Sequence, residues 1–416
     1  MTATTPDSFT PRVRWSWLWT RRRDFGWNLL PFWLGFALVA LLFATRSAGP
    51  AMDNPGWNVS IAGKNVQVMT LMLLLYGPLV DAPHLWATIA RTYTDREEWA
   101  ARKRLFLGSL LAFAVGPAII LLPHAVNVVF PLPPSVKEGG FLLWIWGFGF
   151  YTIFHINKQH WGFVCLYKRK NGDNEAADNR ADSLFFTPAI WFPYFGMFSA
   201  PWFVDADGKP LALMQIAVGA TTLGSLLHLA CHVGFIVSVL AYASFQVHQW
   251  RKGVSRNGPK LLYLGTIVAL YYATFAFHPR VAAFWVMITG TGHCAQYHGI
   301  IWAYGRKKYA AMGPDKRSLP SLIFGNVWLY ITLGVVFGVV TMQGPGARVF
   351  KNAFASMLQW AVFSHTFAYL DQSTGFDLGL QVAAAVVSGV RLHHFYVDSK
   401  IWRVSKSAAL AKNLNV

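Results

Sequence analysis

Two segments of the chain carry the same chemistry-bearing pattern. FHINKQHWGFVCLYKRK (154–170) and GHCAQYHGIIWAYGRKK (292–308) each place two histidines with four residues between them, followed by a glycine, aromatic residues and three consecutive cations. Neutral imidazole is a ligand for metals such as iron and zinc, and ionisable side chains inside apolar segments are costly unless they are paired or line a functional cavity. Further candidates sit in DAPH, which places Asp81 three residues before His84, and in HHFYVD, which supplies His393, His394 and Asp398. The nine candidate ligands are therefore Asp81, His84, His155, His160, His293, His298, His393, His394 and Asp398.

The cations act as a ruler. His84 precedes Arg91 by seven residues, His160 precedes Lys168 by eight, His298 precedes Arg306 by eight and His394 precedes Lys400 by six. If those cations mark one membrane face, the four histidines lie roughly 9 to 12 Å inside it at helical rise. Seven histidines and two carboxylates exceed the four ligands of a structural zinc site, so two iron ions explain the number better than one. Thr152, Asn157, Gln159, Gln296 and Tyr297 are the polar neighbours available to orient the rings. Within each HX4H pair the two rings differ by about 140° on a regular helix, so a π-bulge, two metals or approach from opposite sides is needed to use both. Any one histidine alone reads first as a hydrogen-bonded packing or interfacial residue, and the repeated HX4H at matched depth shifts that balance toward a ligand; Asp81 reads just as well as a partner of its own helix end.

The elements that must position these residues are membrane helices. The 416-residue chain is 54% hydrophobic and 13% charged, with mean hydropathy +0.35, too apolar for a soluble domain of this length. Apolar runs of about 18 to 25 residues are each long enough to cross a bilayer. Expected spans are 28–45, 67–91, 105–129, 141–167, 184–203, 226–250, 260–278, 281–304, 320–343 and 377–396, with 211–225 and 350–370 ambiguous. This predicts an all-α, polytopic integral membrane bundle of about 10–12 helices. Residues 1–27 form an interfacial lead-in, 28–404 a single transmembrane domain and 405–416 a tail. No polar connection is long enough for a soluble domain.

The net charge of +18 is concentrated in runs such as 21–24, 91–104, 168–180, 251–260, 306–317 and 399–406. The positive-inside rule places these runs and both termini in the cytoplasm, and the expected location is a bacterial inner membrane. A basic cytoplasmic face suits an acidic electron donor. The aromatic residues lie in apolar spans rather than among the basic loops, which argues against nucleic acid. Cys165, Cys231 and Cys294 show no CxxC spacing, and P-loop, HExxH and CxxCH motifs are absent. GxGF (147–150) and GTG (290–292) precede the histidine pairs and read as close helix packing. His228 and His232, four apart, form a lesser candidate near the opposite face.

HINKQH and HCAQYH resemble the HX3–4H boxes of membrane-embedded non-haem iron enzymes, the fatty-acid desaturases, hydroxylases and alkane monooxygenases; LHHFYVD supplies only the HH of their HXXHH box. Pro83-His84 and HFYVD are similar in style to the carotene-cleaving membrane oxygenases, whose scattered histidines bind a single iron. The resemblance covers some 40 residues. It implies an oxidoreductase that uses O₂ on a lipid-like substrate, by hydroxylation, desaturation or cleavage. Two other classes stay open: a histidine-rich transporter or metal permease, since the HX4H repeat is similar to transporter repeats, and a haem-binding electron carrier.

Overall fold

The expected spans correspond closely to helices in the computed structural model, which describes residues 13–44, 58–61, 63–67, 75–173, 175–200, 212–276, 290–309, 318–343 and 378–416. In chain order these are α1 (Arg21–Asp24), α2 (Leu30–Ala44), α3 (Ala82–Thr92), α4 (Arg96–Ser109), α5 (Ala112–Val129), α6 (Pro134–Asn171) and α7 (Ala176–Ser199). They continue as α8 (Leu223–Arg251), α9 (Gly258–Ala276), α10 (Thr291–Lys308), α11 (Leu319–Gly325), α12 (Val327–Gln343), α13 (Leu378–Ile401) and α14 (Ala408–Leu414). The molecule is all-α apart from three two-stranded ladders: Asn58–Ile61 with Lys64–Gln67, Ala217–Val218 with Thr221–Thr222, and Val13–Arg14 with Arg256–Asn257. The ambiguous stretch 211–225 is therefore a 3₁₀ turn (Ala212–Gln215) and a small hairpin running into α8, not a span. The stretch 350–370, with His365, and likewise His278 lie outside the described residues.

Three described stretches are long and apolar enough to cross a membrane: Arg96–Val129, Gly139–Asn171 and Leu223–Arg251. The pair Leu319–Gly325 and Val327–Val340 makes a fourth if its 107° bend is counted as one broken span. These are counts among the described residues, which leave out parts of the expected spans 67–91 and 281–304. Of the helices that carry the histidines, three are not among them: α3 has only 11 residues, α10 ends in Arg306–Lys308, and α13 contains Arg391, His393 and His394.

Local chemistry sets the helix ends. Thr20 accepts from Arg23 N (3.2 Å), Asp95 accepts from the N–H groups of Glu97 (2.9 Å) and Glu98 (3.2 Å), and Ser318 forms a capping box with Ser321. Gly172 closes α6 at φ 70°, a left-handed position that glycine takes without a Cβ clash. A π turn, Phe25–Leu29, joins α1 to α2, and another, Gly77–Asp81, leads into α3. Pro83 follows the second one and has no N–H to give to the preceding turn, which favours the wider winding there. The helix is regular through both 155–160 and 293–298, so no π-bulge brings the two rings of either HX4H pair together.

Helices α3, α6, α10 and α13 surround the polar centre. Glycine permits close approach on α10: a Cβ at Gly292 would lie 2.3 Å from the Phe32 ring and one at Gly305 2.2 Å from the Phe324 ring. Packing explains GTG, then, but a Cβ at Gly147 or Gly149 would meet nothing within 4 Å, so GxGF has no such role. The carboxy-terminal α14 buries Leu410, Ala411 and Leu414 and docks on α10.

Candidate metal centre

Four imidazoles from four helices close into a ring. Centroid separations around it are 4.6 Å for His84–His394, 5.2 Å for His84–His293, 5.2 Å for His293–His155 and 5.1 Å for His155–His394. A metal about 2.1 Å from each ligating nitrogen sits about 3.2 Å from each ring centroid, so neighbouring rings should be about 4.6 Å apart at 90° and about 5.3 Å at the tetrahedral angle. All four observed separations fall in that interval. The Nε2 atoms of His84 and His394 are 3.0 Å apart, the spacing of two adjacent ligands about 2.1 Å from one octahedral ion.

Hydrogen-bond accounting narrows which nitrogens are free. His84 Nδ1 lies 2.6 Å from the backbone carbonyl of Asp81, an acceptor only, so Nδ1 carries the proton and Nε2 the lone pair. His394 Nδ1 lies 2.7 Å from Thr88 Oγ1. Tyr297 donates to Asp398 Oδ1 at 2.6 Å and Thr88 donates to the same oxygen at 3.2 Å, while the two hydroxyls are 2.6 Å apart. When the Thr88 proton goes to Asp398, His394 Nδ1 donates to Thr88; when it goes to His394 Nδ1, the His394 Nε2–H faces His84. In the first arrangement both Nε2 atoms carry lone pairs. The two Nε2 lone pairs then face each other across 3.0 Å, an arrangement that calls for a cation between them.

Other atoms point to the same place. His155 Nε2 and His293 Nδ1 are buried and have no hydrogen-bond partner among the described residues. Such orphans are uncommon, because an unpaired buried polar atom forfeits its hydration. Donor atoms of His84, His293 and His394 all lie within 4.8 Å of one another, as do those of His155, His394 and Asp398, and His394 belongs to both groups. Asp398 Oδ2, the oxygen not taken by the hydroxyls, is 3.5 Å from His394 Nε2. Four imidazoles and one carboxylate thus offer possible ligand atoms, in two overlapping groups of three. His155 is held in place by a stacked Phe395 ring at 4.2 Å, and Gln159 of the same helix donates to the His293 carbonyl at 2.9 Å.

The remaining candidates are placed elsewhere. His160 Nδ1 meets Tyr263 Oη at 3.0 Å and Gln296 Oε1 at 3.2 Å, with its ring between Phe32 and Tyr271. His298 Nδ1 is 2.8 Å from Tyr330 Oη, and His393 Nε2 is 2.6 Å from Tyr93 Oη. The Asp81 carboxylate pairs with Arg391, so this residue supports His84 through its carbonyl and has its charge met by a neighbour. Asp81, His84 and Cys294 also lie within 4.8 Å, but Cys294 Sγ faces Tyr76 Oη at 3.9 Å and His84 Nδ1 is already engaged.

The ruler misplaced the site because two of its cations are not at an interface. Lys168 is 5% exposed and pairs with Asp182; Arg91 is 2% exposed and lies between Trp402 (3.7 Å) and Tyr304 (4.5 Å). The ring thus takes His155 and His293, the first member of each HX4H pair. Thr88 and Arg391 were missed altogether, since a threonine and an arginine without a local motif carry no signal of the partner that each meets 310 residues away in the chain. Of the proposed polar neighbours, Tyr297 joins the network of the ring and Thr152 bonds its own helix at Phe148 O.

His228 and His232 also bring their Nε2 atoms together, at 3.1 Å. Here a continuous chain of donors is available, from Tyr272 Oη (3.1 Å) to His232, from His232 to His228, and from His228 Nδ1 to Gly196 O (2.9 Å). The pair is satisfied without a cation.

A cavity of about 650 Å³ reaches His155, Tyr297 and Asp398 from the side of α6 and α13 and continues past Phe163 and Trp402 to Arg169 and Arg403. Set against protein-family models, curated proteins and solved structures, the chain matches none, so its functional reading rests on the chemistry of this centre.

Proposed function

We propose that this chain is a membrane-embedded oxidoreductase that holds one metal ion, with iron the best match, on His84, His155, His293, His394 and Asp398, and that it uses O₂ to hydroxylate, desaturate or cleave a lipid-like substrate. The observation that carries the proposal is the closed ring of four buried imidazoles, two with partnerless nitrogens and two with their Nε2 atoms 3.0 Å apart. A nitrogen-rich set with one carboxylate suits iron better than magnesium or calcium and has more ligands than structural zinc takes. A single ion accounts for the ring better than two, since the His160, His298 and His393 rings each meet a tyrosine hydroxyl and none belongs to the groups of converging ligand atoms, although His160 Nε2 is also buried without a partner among the described residues. Iron bound there would supply oxygen activation and the oxidising power to break an unactivated C–H bond.

The chain's own residues provide the setting. Asp81 and Thr88 hold His84 and His394 with their Nε2 atoms bare. Tyr297 and Thr88 occupy Asp398 Oδ1 and leave Oδ2 free to face inward. The cavity brings an apolar wall to His155 and Asp398, which excludes water from the centre and orients a hydrophobic substrate toward it. Basic runs on the expected cytoplasmic side offer a docking surface for an acidic electron donor.

A haem carrier fits less well. Axial imidazoles lie on opposite faces of a porphyrin, with centroids about 6.5 Å apart at normal bond lengths, and the ring separations here leave no space for the macrocycle. A permease would spread its ligands along a path, whereas these converge on one point.

Metal analysis of protein purified without chelator tests the reading. About one iron per chain is expected, with no Soret absorption. Alanine at His84, His155, His293 or His394 should abolish retention, while His160→Ala and His298→Ala keep it. A wild-type protein without metal, or His84→Ala and His394→Ala variants with full metal, would overturn the proposal.

A further inference from the structure

The cavity that reaches the imidazole ring has a largely apolar wall and carries the guanidinium groups of Arg169 and Arg403. Phe154, Phe163, Ile300, Phe395 and Trp402 form the walls. Arg169 and Arg403 also line it, both are exposed, and neither is paired with a carboxylate among the described residues; Arg403 donates only Nε, to Ser399 O at 3.2 Å. The volume of about 650 Å³ is in the range that takes one small-molecule ligand. Residues of α6 from Tyr151 to Arg169 line the cavity at intervals of three or four, so it runs along one face of that helix.

We propose that this cavity binds a single-chain amphiphile with an anionic head, its head held by Arg169 and Arg403 and its chain laid along the apolar walls toward His155. The inference rests on the metal-centre reading only for what happens at the inner end. Guanidinium groups take carboxylate or phosphate oxygens in a bidentate fork, and Arg169 and Arg403 are the two guanidinium groups that line the cavity. Distance adds a second restriction. Arg403 lies eight residues beyond Phe395 and Arg169 fourteen beyond His155, or about 12 Å and about 21 Å at helical rise. The segment of chain beside the ring is therefore roughly 12–21 Å from the head, which selects a long chain and a position far from the acid group.

Lys158 is the competing anchor. It also lines the cavity, one turn from His155, and its ammonium sits 5.2 Å from the Phe154 ring centroid. An acid group held there would lie beside the ring and reverse the orientation of the ligand.

Binding of a brominated sixteen-carbon fatty acid and of its methyl ester separates these cases, read as the part of the tryptophan quenching that Trp402→Phe removes. The protein is held in nanodiscs of zwitterionic lipid, so that the added acid is the sole anionic amphiphile. The acid is expected to bind about tenfold or more tightly than the ester, from the charge-assisted contacts it gains. The Arg169→Gln/Arg403→Gln double variant should erase that preference and leave ester affinity unchanged, and Lys158→Gln should leave the preference intact. Equal affinity for acid and ester in the wild type, or loss of preference in Lys158→Gln instead of the double variant, would overturn the proposal. The comparison is run on iron-loaded and metal-stripped protein. Preference without retained metal would leave the binding site standing and remove the metal reading; retained metal without preference would do the reverse.

Discussion

Thr88 decides the chemistry of the ring more than its ordinary appearance in the sequence implies. Its hydroxyl meets His394 Nδ1, Tyr297 Oη and Asp398 Oδ1 at 2.7, 2.6 and 3.2 Å, so one side chain sets both the tautomer of an imidazole and the direction of a carboxylate. Replacing it by valine preserves shape and removes that acceptor. Groups that orient metal ligands are worth about 10- to 100-fold in metal affinity, and Thr88→Val should weaken metal binding by that factor in a competition titration with a chelator. Thr88→Ser should restore it, and an unchanged affinity for valine would show that the tautomer is fixed some other way. All five residues, the four imidazoles and the carboxylate, come from motifs visible in the sequence, namely DAPH, HINKQH, HCAQYH and HHFYVD. What spacing could not say was which member of each histidine pair faces inward. Each pair has one ring on each side of a regular helix, and only the neighbours decide: His394 and His84 for one side, Tyr263 and Tyr330 for the other.

Helix ends supply the next level of order. Asp95 caps α4 and also takes Lys308 Nζ at 2.6 Å and the Tyr309 hydroxyl from the end of α10, so it ties two helices that contribute to the centre or lead from it. Burial alone would raise this carboxyl, but Lys308, Tyr309 and the Glu98 N–H outweigh it and hold it below the ordinary aspartate value of 3.8. A depressed pKa means that the ionised form is favoured by the fold. Its stabilisation is therefore present above pH 3.8 and lost as pH falls through the lower folded value. Thermal midpoints in detergent should drop below about pH 4 in the wild type, and Asp95→Asn should remove that component of the pH dependence. A wild-type and variant with parallel profiles would argue against the tie. A second junction is more deeply buried. Asp182, fully excluded from solvent, accepts from Tyr242 Oη at 2.6 Å, pairs with Lys168 and lies 3.0 Å from Lys260 Nζ. Removing one partner of a buried ion pair costs about 3–5 kcal/mol, so Asp182→Asn should lower the melting temperature by an amount that a scan resolves easily; a variant as stable as the wild type would contradict this. Helix positions were legible from hydropathy because apolar runs of bilayer length have few alternatives. The depth of residues within them was not, because Lys168 and Arg91, read as interfacial cations, find partners in Asp182 and between aromatic rings.

At the scale of the molecule, the expected all-α bundle and the convergence of widely spaced histidines are both present, and among the described residues three or four stretches are long and apolar enough to cross a membrane. The polar residues that build the centre are the same ones that interrupt the apolar pattern of α10 and α13, so a search for spans loses the helices that matter most for chemistry. The ring also joins parts of the chain that are made far apart in time. His84 and His394 are separated by 310 residues yet their nitrogens are 3.0 Å apart, and no metal-binding ring exists until α13 has entered the bundle. Synthesis proceeds from the amino terminus and long-range contacts close late. On the proposed metal reading, capture would wait for α13, since a nascent protein stalled before His394 would carry three of the four imidazoles with nothing to close them.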